Sequence, residues 1–222
     1  MSMQVFVVGV TGRTGRLLAR DLLSRGDVVR GLVRDEQSRR EMAGEGVAAV
    51  LGSIAEVDTD ALARMLDATD VLVYAAGSNG GVREVTKAVD ADGLRTALAA
   101  AGAAGVDRFL LLSVLPEAWR ERELEADEEY YFHVKKAADV AVARSALEWV
   151  ILRPSLLHDG PATGTVTLGP AVMHGEVSRS DVAATMAEIL HEPRITRRIL
   201  ELDGGATPLR EAVLAAAEGF SP

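Results

Sequence analysis

Seven residues near the start of the chain constrain the fold more than any others. Gly9-Val10-Thr11-Gly12-Arg13-Thr14-Gly15 lies directly between an apolar run of strand length, 5–8, and a segment in which Leu17, Leu18, Leu22 and Leu23 recur at helical spacing. A chain that leaves a strand and enters a helix within a few residues must turn sharply, and glycine permits both the turn and a close approach of other groups to the backbone. The helix that follows points its unpaired N–H groups and positive dipole end at whatever occupies the turn. Strand, glycine turn and helix in this order are the phosphate-binding corner of a parallel α/β sheet. Gly9, Thr11, Gly12, Arg13, Thr14 and Gly15 are therefore candidate contacts to a dinucleotide, with the two threonine hydroxyls as additional donors.

The rest of the chain repeats the same alternation. Strands are expected at 28–33, 48–51, 71–76, 109–112, 150–152 and 199–202. Helices are expected at 13–24, 60–66, 82–104, 130–145, 180–191 and 208–217, the last with proline at its start. Residues 159–170, rich in Gly, Pro and Thr, read as a loop that has room for one short strand. Strands alternating with helices imply a doubly wound, three-layer Rossmann-type sheet with right-handed crossovers. With 222 residues and no dividing linker, the expectation is one domain over 1–222. Only 4 % of residues are aromatic, so its core must be built from Ala, Val and Leu.

Charge narrows the partners. The formal net charge of −9 argues against nonspecific binding to nucleic acid or to anionic membranes, both of which need surplus Lys and Arg. With no cysteine there are no disulfides, thiolate metal sites or cysteine nucleophiles. The four histidines, His133, His158, His174 and His191, lack metal-ligand spacing, so no metal site is expected. The N-terminus has neither a basic region nor a cleavage site, and no apolar stretch reaches membrane-spanning length, so a cytoplasmic protein is expected.

The spacing of the loop, Gly-x-x-Gly-x-x-Gly, resembles that of the short-chain dehydrogenase/reductase superfamily in its atypical branch, and the NAD(P)H-binding, NmrA-like group within it. Four further segments resemble that branch in the same order: Tyr74-Ala75-Ala76-Gly77-Ser78 after strand four, Arg108-Phe109-Leu110-Leu111-Leu112-Ser113 as strand five, Leu152-Arg153-Pro154-Ser155 at the exit of strand six, and Ser178-Arg179-Ser180-Asp181-Val182-Ala183 opening a late helix. The resemblance implies that Ala75, Ala76, Gly77 and Pro154 line the cofactor. It also implies a small substrate region within about 154–180. Where similar proteins carry Gly-Asp after strand three, this chain has Gly52-Ser53, so Ser53 would meet the adenine without a carboxylate.

Cofactor choice rests on the end of strand two. An acidic residue there receives the ribose hydroxyl of NAD, whereas arginine accommodates the 2′-phosphate of NADP. Here the order is Val33-Arg34-Asp35, and Arg13 offers a second guanidinium, so NADP(H) is expected to be preferred. Asp35 keeps NAD(H) open if the strand ends one residue later.

Tyr131 and Lys135 are four residues apart and so share one helical face. This Tyr-x-x-x-Lys pattern resembles the catalytic pair of the superfamily. The resemblance implies Tyr131 as general acid or base. It implies Lys135 as the cation that lowers the tyrosine pKa and binds the nicotinamide ribose, and Ser113 as the group that holds the substrate oxygen. Tyr130 lacks a lysine partner, and Lys136 points about 100° away from Lys135. The acidic run 121–129 reads as a solvated loop, and Trp119 within the loop before it as a half-buried anchor or a cap on the substrate pocket. The favoured function is an oxidoreductase acting on a small carbonyl, alcohol or quinone-like substrate. The alternative is a dinucleotide-binding sensor without turnover. A sugar-nucleotide epimerase or dehydratase ranks last, because only 69 residues (222 − 153) follow Arg153. The chain would work as a monomer or a homodimer.

Overall fold

Seven parallel strands rise through the centre of the molecule in an order that no reading of consecutive segments would give. In this computed structural model, which describes residues 2–117 and 123–219, β1 (Gln4–Val8) lies between β2 (Val28–Val33) and β4 (Val71–Tyr74). Strand β3 (Ala48–Leu51) pairs outside β2, and β5 (Arg108–Leu112), β6 (Glu148–Pro154) and β10 (Arg198–Gly204) continue beyond β4, all parallel. The antiparallel β8 (Thr165–Gly169) and the short β11 (Thr207–Pro208) complete a nine-stranded sheet of order β11-β8-β10-β6-β5-β4-β1-β2-β3. A separate parallel ladder joins β7 (Leu156–His158) to β9 (Glu176–Ser178).

The pleat sends alternate residues into two cores. Val5 and Val7 enter one with Leu18 and Leu22 of α1 (Arg13–Ser24), Val182 and Met186 of α7 (Arg179–Leu190) and Val213 of α8 (Leu209–Glu218). Phe6 and Val8 enter the other with Leu62 of α3 (Thr59–Met65), Ala97 and Ala100 of α5 (Leu94–Ala104) and Ala138 of α6 (Ala126–Ala143). A sheet covered on both faces explains why its strands are continuous apolar runs. The alanines let α5 and α6 lie close upon it.

Several expectations are corrected. A helix absent from the sequence reading, α2 (Glu36–Gly44), follows β2, with Asp35 as its N-cap accepting from the Ser38 N–H at 2.7 Å. Its polar sequence buries only Met42, so it carries almost no apolar period. The expected helix over 82–104 is broken into α4 (Arg83–Thr86), a π-helical segment (Lys87–Gly93) and α5. The helix carrying Tyr131 starts at Ala126, so part of the acidic run is its first turn and not loop; three acidic residues there suit the positive end of the helix, and the Glu125 N–H donates to Glu128. Residues 165–169 form the one strand within the expected loop. Trp119 and the beginning of the acidic run, Glu121, lie outside the described residues. No helix among the described residues is long and apolar enough to cross a membrane.

Candidate active site

Gly9 ends β1 with φ +93°, and a Cβ there would stand 2.5 Å from the Ala76 nitrogen. The turn after β1 and the segment after β4 can lie this close only because the residue has no side chain. Gly15 serves packing: a Cβ on it would meet the Gly9 oxygen at 2.2 Å, and the residue is buried and does not line the cavity. Gly12 is the N-cap of α1 and gives it no side-chain cap. Its missing Cβ would find only the Gly9 oxygen, at 3.1 Å, so the rest of that direction is open. An uncapped helix N-terminus behind an open glycine is a fit for a phosphate.

That corner opens into a cavity of about 650 Å³, within the range of cofactor sites. Most of the residues singled out from the sequence line it: Gly9, Thr11, Gly12, Arg13, Thr14, Arg34, Ser53, Ala75, Ala76, Gly77, Ser113, Tyr131 and Lys135. They come from six separate segments, each at the carboxyl edge of a strand or on the face of α6. Pro154 lies instead on an adjoining cavity of about 330 Å³, with Leu115, Phe132, Leu156 and His174. Tyr131, Asn79, Val114, Leu157 and Arg179 line both cavities.

Two expectations about cations divide here. Arg34 lines the cavity just past β2. Asp35 beside it spends its carboxylate on the Ser38 N–H and hydroxyl, which hold it below its ordinary pKa. Arg13 lines it too and pairs with Asp159 at 2.7 Å, and Asp159 also receives Arg179 at 2.8 Å. Arg13 thus stands at the rim of the cavity in an exposed ion pair with a carboxylate from the far half of the fold.

Tyr131, Lys135 and Asp139 follow one another at four-residue intervals along α6 and so share a face. Lys135 is buried and reaches Asp90 of the π segment at 3.3 Å. Burial works against its charge, but Tyr131, Asp90 and Asp139 outweigh this and hold the ammonium above its ordinary pKa. Tyr131 departs from expectation. Burial raises its pKa, Lys135 pulls the other way as anticipated, and Asp90 adds to burial, so the net shift is upward. Ser113 departs too. Its hydroxyl donates to Asp139 at 2.5 Å, and Arg153 holds the other carboxylate oxygen at 2.8 Å. Burial raises the Asp139 carboxyl against both of these bonds. Placed so, Ser113 turns lone pairs and not its proton toward the cavity.

Sequence reasoning missed Asp90, Asp139, Arg153 and Arg179. The four-residue period on α6 was a signal for Asp139; Asp90 had none, since its placement depends on a π turn. Among the described residues no cluster of His, Cys, Asp or Glu could hold a metal ion.

A protein family described as NAD(P)H-binding matches residues 9–193. The chain is 34 % identical to a Bacillus subtilis protein named "Uncharacterized sugar epimerase YhfK", over 95 % of this chain and 99 % of that one. It is 28 % identical to 4-hydroxy-2-methyl-3-oxo-4-farnesyl-3,4-dihydroquinoline-1-oxide ketoreductase of Stigmatella aurantiaca, over 91 % of this chain and 58 % of the other. Among solved structures, the oxidoreductase ylbE of Lactococcus lactis shares the fold with a TM-score of 0.84, at 24 % identity and 99 % coverage of both chains.

Proposed function

The chain belongs to the NAD(P)H-binding family, in the atypical branch of the short-chain dehydrogenase/reductase superfamily, and from that premise we propose that it is an NADP(H)-dependent oxidoreductase acting on a small carbonyl, alcohol or quinone-like substrate. The observation that carries this reading is that Tyr131 and Lys135 face the same cavity as the glycine loop, at its junction with a second, largely apolar cavity.

The glycine loop and the N-terminus of α1 would hold the pyrophosphate, and Ser53 and the Ala75–Gly77 backbone would border the rest. Arg34 would receive a 2′-phosphate. NADP(H) is favoured because Asp35, the carboxylate that would serve NAD(H), is occupied as a helix cap. A bound reduced dinucleotide would supply the hydride. Tyr131 would give its proton to the substrate oxygen, and Lys135 would hold the ribose and steady the phenolate left behind. Ser113, as an acceptor, suits a substrate hydroxyl better than a carbonyl. Residues within 154–180, among them Leu156, Leu157 and His174, would contact the substrate, and apolar walls suit an apolar ketone or quinone better than a sugar nucleotide.

Oxidation of NADPH followed by absorbance across aldehydes, ketones, quinones and flavins, beside calorimetry of NADP(H) and NAD(H), tests the proposal. Turnover of at least one class with tighter NADP(H) binding is expected. Binding without turnover across the whole panel would transfer the protein to the sensor reading.

A further inference from the structure

Beside the proposed Tyr-Lys pair stands a buried charge that the reaction leaves without a part, Asp90. Its side chain is wholly buried, and that of Lys135 is 5 % exposed. It sits in the middle of the π-helical segment, buried between Ser78 and Lys135. Three contacts fix the segment. The Tyr74 hydroxyl donates to the Val89 carbonyl at 2.5 Å, the Ser78 N–H donates to one Asp90 oxygen at 2.9 Å, and the Lys135 ammonium meets the other at 3.3 Å. Gly93 leaves room for the Tyr74 hydroxyl, which a Cβ would approach to 3.0 Å. A π turn at this point, with a tyrosine and a glycine beside it, places a carboxylate between the Ser78 N–H and the lysine of the Tyr-Lys pair.

We infer that Asp90 is a positioning residue that neutralises Lys135, so that Tyr131 faces an ion pair and not a bare cation, keeps its proton at neutral pH, and serves as a proton donor that commits the site to reduction. The inference rests on the oxidoreductase reading above. In the reductive direction the carbonyl carbon takes a hydride, with its electron pair, from the reduced dinucleotide, and the carbonyl oxygen takes the phenolic proton. The phenolate then recovers a proton from water. A tyrosine facing an unpaired ammonium would ionise more readily and favour the reverse, proton-removing role. The charged and titratable groups around Tyr131 are Lys135 and Glu128 on its own helix, Asp90 and Glu84 on the facing segment, and His174 and Arg179 from the C-terminal part, with Asp139 a further turn along, beside Lys135. Of these, Lys135 and Asp90 act on its proton, in opposite directions.

The chain has three tyrosines, so the phenol can be read directly. Burial pushes Tyr74 far above the ordinary range, and Tyr130→Phe removes the other. Ultraviolet titration of Tyr131 in that background needs neither cofactor nor substrate. Its failure is therefore distinct from a failure of the oxidoreductase reading, which would show as absent turnover while the Tyr131 titration still shifts on loss of Asp90. Asp90→Asn should ionise Tyr131 at lower pH than the parent, and Asp90→Glu should restore the parent value. In turnover, reduction falls as Tyr131 loses its proton, so its alkaline limit should move to lower pH in Asp90→Asn. If Asp90→Asn does not fold by circular dichroism, Asp90→Ser is titrated in its place, with Lys135 kept, and should likewise ionise Tyr131 at lower pH than the parent. An unchanged or higher Tyr131 ionisation on loss of Asp90, in either comparison, overturns the inference.

Discussion

Adjacent tyrosines have different surroundings. Tyr131 borders both cavities, whereas Tyr130 lies under the Arg83 guanidinium, 5.2 Å from its ring centre, and borders neither. Tyr131→Phe should lower turnover by about 10²–10⁴-fold, the worth of a positioned general acid, with cofactor affinity nearly unchanged. Tyr130→Phe keeps the ring under Arg83 and should be silent in the same steady-state assay. Equal turnover of Tyr131→Phe and wild type would place the proton donor elsewhere. At the other end of the cavity, Arg34→Ala should weaken NADP(H) by about 1.5–3 kcal/mol, the scale of a hydrogen bond to a charged group, and leave NAD(H) almost untouched. Calorimetry with both cofactors reads the difference; an equal loss for the two would remove Arg34 from the 2′-phosphate.

Elements meet at the glycine loop, where each glycine has its own reason. Gly9 and Gly15 are fixed by backbone approaching from β4 and from the loop itself, so a side chain at either position damages the fold. Gly12 faces open space. Gly12→Val should therefore leave the circular dichroism spectrum intact and abolish the cofactor fluorescence change, because its branches would fill the phosphate corner. Retained binding would mean that the dinucleotide lies elsewhere. The π segment shows the same economy on a helix. The pattern of 82–104 hides it, because alanines spread round the helix leave no sharp apolar face whose shift would mark a widened turn. Within it, the Val89 carbonyl accepts from the hydroxyl of Tyr74, a residue of a neighbouring strand.

The whole molecule is acidic, yet some of its carboxylates tie elements together. Glu45, the residue after α2, accepts from Arg16 at 2.6 Å and Arg20 at 3.0 Å on α1, and these bonds hold its pKa at about 2, below the ordinary 4.5. A carboxylate with a depressed folded pKa stabilises the fold above its unfolded pKa and loses that contribution as pH falls through the folded one. Thermal melts should thus show part of the acid destabilisation between about pH 4.5 and about 2 arising from Glu45. Glu45→Gln should lower the melting temperature at neutral pH and flatten its fall over that window. A parallel fall in variant and wild type would show that the pair contributes nothing to acid sensitivity.

The alternation of strands and helices, the glycine corner, Arg34 after β2 and the common face of Tyr131 and Lys135 were legible from residues alone. Each depends on near neighbours: the periods of two and 3.6, the steric freedom of glycine, and the four-residue spacing of a helix face. The partners of those residues were not legible. Lys135 pairs with Asp90 across 45 residues, Ser113 with Asp139 across 26, and Arg13 with Asp159 across 146. The first two exist because β4, β5 and β6 lie side by side and α6 packs over the π segment, the third because the segment after β7 returns beside the start of α1. Sheet order and crossover decide which charges become neighbours, and burial decides how strongly they act. The sequence by itself determined where a dinucleotide corner and a Tyr-Lys pair would stand; the tertiary structure decided that the lysine arrives already neutralised, because only packing brings a carboxylate from another helix within reach of it.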